Sequence, residues 1–195
     1  QGQKLPCVIY NRGGNREFGA LDDDTAVWVL ARIASWGYVV VASQYRGNAG
    51  GEGREEFGGA DINDVLNLVP LLQSLPRVDP RRIGMFGWSR GGMMTYMALT
   101  RTDRIAAAIV ASGMSDAFDT VARRPELEDL VYSALVPGYQ EDRHRALVSR
   151  SPVRWPERLS RRTPILLLHG TADERVSATQ TLSMASALLQ SGHTF

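Results

Sequence analysis

The sequence predicts an α/β fold, a central and mainly parallel sheet sandwiched between layers of helices. Three observations carry this reading. Five short apolar runs, mostly β-branched or aromatic, are bounded by Gly, Pro or polar residues, the pattern of strands buried on both faces. Amphipathic stretches with helical spacing lie between them, and strand–helix alternation implies parallel pairing through right-handed crossovers. A Gly-x-Ser-x-Gly stretch, Gly87-Trp88-Ser89-Arg90-Gly91, falls where an apolar run passes into a helical pattern.

The chain opens with the run Leu5 to Tyr10, read as a strand that buries Cys7. Cys7 is the single cysteine, so no internal disulfide forms and nothing argues for an oxidising compartment. A cytoplasmic setting is favoured, although Gln1 rather than Met at the start is compatible with a removed signal peptide. After this strand, Asn11-Arg12-Gly13-Gly14-Asn15 has a Gly pair that exposes backbone N–H groups, suited to an oxyanion. Phosphate binding competes for that signal, but no Walker-type Lys-Ser/Thr follows.

Asp24 to Trp36 reads as a helix with Val27, Leu30, Ala31 and Ala34 on its apolar face. Tyr38 to Ala42 is the second strand. The following loop places Gly47, Gly50, Gly51 and Gly53 in no register of G-x-G-x-x-G, which rejects a dinucleotide cofactor. Asp61 to Leu75 reads as one helix with Ile62, Val65, Leu66, Val69 and Leu72 inward, and Asp61 and Asp64 favourable in its first turn.

Ile83 to Gly87 is the third strand, and Met93 to Thr100 the helix after it. Between them the small residues two before and two after Ser89 permit a tight strand-to-helix turn. Such a turn lifts the Ser89 hydroxyl above the sheet and aims the N–H of Arg90 at a developing oxyanion. The competing reading is a Gly-rich structural turn with an idle serine.

Ala106 to Ala111 is the fourth strand. Asp116 to Arg150 then breaks the alternation, with helix-like patches and no strand. It reads as a helical insertion over the C-terminal edge of the sheet, where open α/β folds bind ligands; a long ordinary crossover is the alternative. Ile165 to His169 is the fifth strand, and Asp173 just beyond it could orient a histidine. His169 is read as a structural hydrogen-bonding residue rather than a base. Ala178 to Gln190 is the closing helix, ended by Ser191-Gly192.

A chain of 195 residues suits one domain. Lys plus Arg (22) nearly cancels Asp plus Glu (21), so no basic field announces nucleic acid or an anionic membrane. The Arg-rich pieces Arg123-Arg124, Arg143 to Arg150 and Arg161-Arg162 read as solvated helical faces. No run of about 18 apolar residues would span a membrane.

Three segments, "YRGNAGGEGREEFGGADINDV", "VDPRRIGMFGWSRGG" and "SPVRWPERLSRRTPILLLHGTADERV", resemble in this order the catalytic domain of prolyl-oligopeptidase-like serine hydrolases, within the α/β-hydrolase superfamily. The resemblance runs over nearly the whole chain and is weakest from Phe118 to Leu147. It implies a three-layer α/β/α core with the strands in the order second, first, third, fourth, fifth. It implies Ser89 as nucleophile, Asp173 as triad acid, and N–H groups of Arg90 and Gly14 as the oxyanion hole. No cofactor or metal is implied. Small peptide or aminoacyl substrates are expected, with simple esters as the runner-up; the other rival is a non-catalytic binding protein of the same fold.

Two departures stand out. Many relatives carry His-Gly-Gly-Pro where this chain has Arg12-Gly13-Gly14-Asn15, and these 195 residues include no segment expected to form the propeller that gates entry in some relatives. The histidines are His144, His169 and His193, and in this fold the base follows the acid. His193 alone does so, but in the resembled family the base lies beyond a further strand. The expectation is a single domain, residues 1–195, lacking its N-terminal strands and the last strand and helix with the catalytic histidine.

Overall fold

Alternating burial along the strands builds the sheet. The computed structural model of the chain describes residues 3–195. In it β1 (Leu5–Asn11), β2 (Val39–Ala42), β3 (Val78–Trp88), β4 (Ala107–Ala111) and β5 (Ile165–Leu168) form one parallel sheet in the order β2-β1-β3-β4-β5. Ile9 pairs with Val41 on one side and Met85 on the other, and Val110 pairs with Leu167. Cys7, Ile9, Ile83, Met85, Ala108, Val110 and Ile165 all bury on one face. Fully burying a side chain such as Ile or Met contributes about 1.5–3 kcal/mol.

That face is covered by α3 (Ile62–Leu66), α4 (Leu68–Ser74) and α5 (Arg90–Leu99), with α8 (Ala178–Gln190) packed beside β5. The single helix expected from Asp61 to Leu75 is divided at Asn67, because Pro70 has no N–H to give Leu66. Its inward residues Ile62, Val65, Val69 and Leu72 are nevertheless the buried ones. Helix α5 comes very close to the strands. A Cβ on Gly91 would sit 1.9 Å from the Asn11 carbonyl oxygen, and one on Gly92 2.7 Å from Gly113 Cα.

The opposite face carries α1 (Asp23–Thr25), a π-helical segment (Ala26–Leu30) and α2 (Ala31–Ser35). Here the expected apolar face is wrong: Val27 is exposed and Ile33 is the buried residue. Five-residue π turns shift the helical register relative to a plain 3.6-residue repeat. Burial on both faces also fails, since Leu166 and Leu168 are exposed. A cavity of about 600 Å³ lies on this side, walled by Val8, Trp28, Val29, Ile33, Phe86 and Ile109.

The stretch from Asp116 to Arg150 contains no strand. It holds α6 (Ala117–Arg123), a π-helical segment (Glu128–Ser133) and α7 (Arg143–Val148). Arg143 and Arg145 are solvated as expected, but Arg150 is buried and donates to the carbonyls of Phe57 (3.0 Å) and Glu56 (2.8 Å). It thereby ties the end of the insertion to the loop before α3. No helix among the described residues is long and apolar enough to cross a membrane.

Candidate active site

Ser89 stands between β3 and α5 at φ 55 and ψ −120. A side chain rarely adopts this conformation, which costs of order 1–3 kcal/mol and persists only where its surroundings over-determine it. Three backbone bonds do so. The Ser89 N–H donates to the Ala111 carbonyl (3.0 Å), and its carbonyl accepts from Gly92 (2.9 Å) and Met114 (3.1 Å). Glycine at 87 is required, because a Cβ there would lie 2.2 Å from the Gly91 oxygen.

The loop after β1 runs beside this turn. Gly14 has φ +69, and a Cβ on it would collide with the Phe18 carbonyl at 1.9 Å. The N–H groups of Gly14, Asn15 and Arg90 have no acceptor among the described residues, so they are free to bind an anion. The Arg90 side chain turns inward: 1% exposed, it pairs with Glu55 and with Asp61, and its guanidinium lies over the rings of Tyr45 (4.8 Å) and Phe57 (4.6 Å). Asp61, expected as an ordinary first-turn acid, is therefore a fully buried counter-ion that also accepts from Gly58 N–H (3.0 Å).

Asp173 follows β5. Its Oδ1 accepts from the backbone of Arg175 (2.9 Å) and Val176 (3.0 Å). Burial pushes its pKa up, but the Val176 N–H, the Ser112 side chain, the Arg175 N–H and His169 together hold it below the usual carboxylate range. Ser89 and Asp173 share a cavity of about 440 Å³ with Gly14, Trp88, Ser112 and Arg175. A smaller one of about 70 Å³, also reaching Ser89, is walled by Phe57, Met114, Leu127, Val131 and Tyr132. The insertion thus walls part of the cavity that reaches Ser89.

None of the three histidines lines either cavity. His169 bonds Thr181 Oγ1 (2.6 Å) and the Val176 carbonyl (2.8 Å), and its Nε2 is 3.5 Å from Asp173. Both ring nitrogens are engaged, which fits the structural role read from the sequence. His193 is buried against the Thr163 carbonyl (2.9 Å), at the end of β5 away from Asp173. His144 is exposed and packs on Phe118 (5.4 Å).

Sequence reasoning missed Arg175, Phe18, Phe57 and Ser112. The Arg175 guanidinium stacks on Phe18 at 4.6 Å and lines both cavities; its place two residues after Asp173 could have flagged it. Phe57 has no local signal, since only the tertiary fold carries it to Ser89. Among the described residues, no group of three or more His, Cys, Asp or Glu could hold a metal ion.

The model of the Prolyl oligopeptidase family matches residues 24–195. The chain is 32% identical over 193 residues to the uncharacterized peptidase YtmA of Bacillus subtilis, covering 93% of this chain and 68% of that protein. It is 29% identical over 198 residues to dipeptidyl-peptidase 5 of Porphyromonas gingivalis, covering 95% and 28% respectively. The uncomplexed acylaminoacyl peptidase of Pyrococcus horikoshii superimposes with a TM-score of 0.80 at 27% identity, over 100% of this chain and 32% of that one. The chain thus spans about two thirds of one relative and under a third of the others.

Proposed function

The chain belongs to the prolyl oligopeptidase family of serine hydrolases, and we propose that it carries the nucleophile, acid and oxyanion hole of a serine peptidase acting on small peptides. Ser89 Oγ attacks the scissile carbonyl. The N–H groups of Arg90 and Gly14 receive the developing oxyanion, a contribution that in such sites is worth about 10²–10³ in kcat per donor. A histidine takes the serine proton and returns it to the leaving amine, and Asp173 orients that ring and stabilises its cation. Water then releases the acyl group from Ser89.

The observation that carries this reading is the strained Ser89 turn beside unpartnered N–H groups, open to a cavity shared with Asp173. Asp173 has the ionised, hydrogen-bonded carboxylate that the role needs. Because none of His144, His169 and His193 lines the cavities that reach Ser89, the base is assigned to a histidine other than these three. Peptide substrates follow from the peptidases it resembles. The same observation about the histidines favours one rival, a binding protein of this fold.

A fluorophosphonate probe on the complete protein separates the two. Labelling located by mass spectrometry at Ser89, and absent in Ser89→Ala, supports the enzyme. No labelling, or labelling at another serine, rejects the assignment. Changing the candidate histidine of the complete protein to Ala should then abolish turnover; full activity in that variant would return the base to His144, His169 or His193.

A further inference from the structure

The loop that carries Gly14 is held by two buried guanidinium groups rather than by apolar packing. Arg12, 1% exposed, donates from Nε to the Gln44 carbonyl (3.1 Å), from Nη1 to those of Gly13 and Phe18 (both 3.2 Å), and from Nη2 to that of Arg16 (2.9 Å). Arg90 donates from Nη1 to the Gly14 carbonyl (3.0 Å). Glu55 closes the set: it pairs with Arg90 and accepts the Arg16 N–H (2.8 Å). The carbonyls of Gly13, Gly14, Arg16 and Phe18 are thus all gathered onto guanidinium groups.

The consequence follows from peptide geometry. In a trans peptide the C=O of one residue and the N–H of the next point in opposite directions. With the Gly13 carbonyl pulled onto Arg12, the Gly14 N–H faces the other way; with the Gly14 carbonyl pulled onto Arg90, so does that of Asn15. Gly14 and Asn15 both line the smaller cavity with Ser89. Burying such ions costs several kcal/mol each before pairing. What a guanidinium adds over an apolar anchor is a rigid planar fork of five donors, able to fix several carbonyls at once.

Building on the role proposed for Ser89, we infer that Arg12 and the Arg90 side chain, with Glu55 as counter-ion, are positioning residues that set the oxyanion hole. They touch no substrate. They orient the peptide planes whose N–H groups would.

The test uses the complete protein, with Arg12→Lys and Glu55→Gln. Lysine keeps the charge but offers one ammonium where the fork spans four carbonyls. Glutamine keeps the shape and an oxygen for the Arg16 N–H, and loses the charge. The readouts are the rate of Ser89 phosphonylation by a fluorophosphonate, kcat and KM for a p-nitrophenyl ester, and thermal melting. A displaced donor should lower the phosphonylation rate and kcat by about 10- to 100-fold, with KM within about twofold. Folded variants that react at the wild-type rate overturn the inference. So does a loss fully explained by the unfolded fraction, or failure of both variants to fold, since the cluster would then be only structural. Wild-type protein unlabelled at Ser89 sinks the nucleophile assignment and this inference together; wild-type rates in both variants sink the inference alone.

Discussion

Gly13 lies against Ser89: a Cβ on Gly13 would stand 3.2 Å from the Cβ of Ser89 and 3.1 Å from the Trp88 carbonyl oxygen. Two segments far apart in sequence therefore meet with no room for a methyl group. Gly13→Ala should push the loop outward by a few tenths of an ångström. We expect kcat to fall about 10-fold with a small change in Tm, because a misplacement of about 1 Å can cost 10²-fold. An unchanged kcat would separate this loop from the chemistry.

Replacement of Ser89 itself distinguishes strain from catalysis. Ser89→Ala and Ser89→Gly should both be inactive. Alanine keeps the Cβ that makes φ 55 unfavourable, whereas glycine adopts positive φ freely. Ser89→Gly should accordingly be more stable than Ser89→Ala by about 1 kcal/mol in urea unfolding. Equal stability would mean that the turn stores no strain.

Val131 brings the insertion to Ser89, walling the smaller cavity. Val131→Ala should widen it and raise kcat/KM for peptides with a bulky residue before the scissile bond relative to alanine there. About a 10-fold change in that ratio is expected, the scale of a methylene in an apolar pocket. A ratio that does not move would exclude the insertion from the acyl-binding region.

Glu128 holds the insertion together by accepting from Arg143 and from Tyr139 (2.7 Å), and these bonds, Arg143 first, depress its pKa from 4.5 to about 2. A depressed carboxylate contributes stability that is fully present above its unfolded pKa and is lost as pH falls through the folded one. Wild type should thus melt above Glu128→Gln near neutral pH, by a margin kept small by the half-exposed Arg143. That margin should shrink below about pH 4.5 and vanish near pH 2. A margin independent of pH would mean that the carboxylate charge is irrelevant.

The five strands, the Ser89 turn and the strandless stretch from Asp116 to Arg150 were legible because they rest on local signals: apolar runs, glycine spacing and interrupted alternation. The order of the strands came from the family resemblance, since no local signal fixes it. The helix from Asp24 to Trp36 was legible as a helix but not in its face, since a π turn leaves no mark in a periodicity of 3.6. The division at Asn67 could have been read from Pro70.

By itself the sequence singled out Ser89 and Asp173 as candidates and gave the backbone context of each, a strand-to-helix turn and the loop after the fifth strand. Only the tertiary structure decided what surrounds them. Arg150 reads as a surface charge and nothing local marks Arg12 or Arg90 as buried, yet all three are, because Glu55, Asp61 and the carbonyls of Gln44, Glu56 and Phe57 reach them from distant parts of the chain. His169 and His193 are withdrawn from Ser89 for the same kind of reason: each finds its partners, Thr181 and the Val176 carbonyl or the carbonyl of Thr163, through the packing of β5. Burial and partner choice depend on long-range contacts, and those arise only when the sheet brings its strands together.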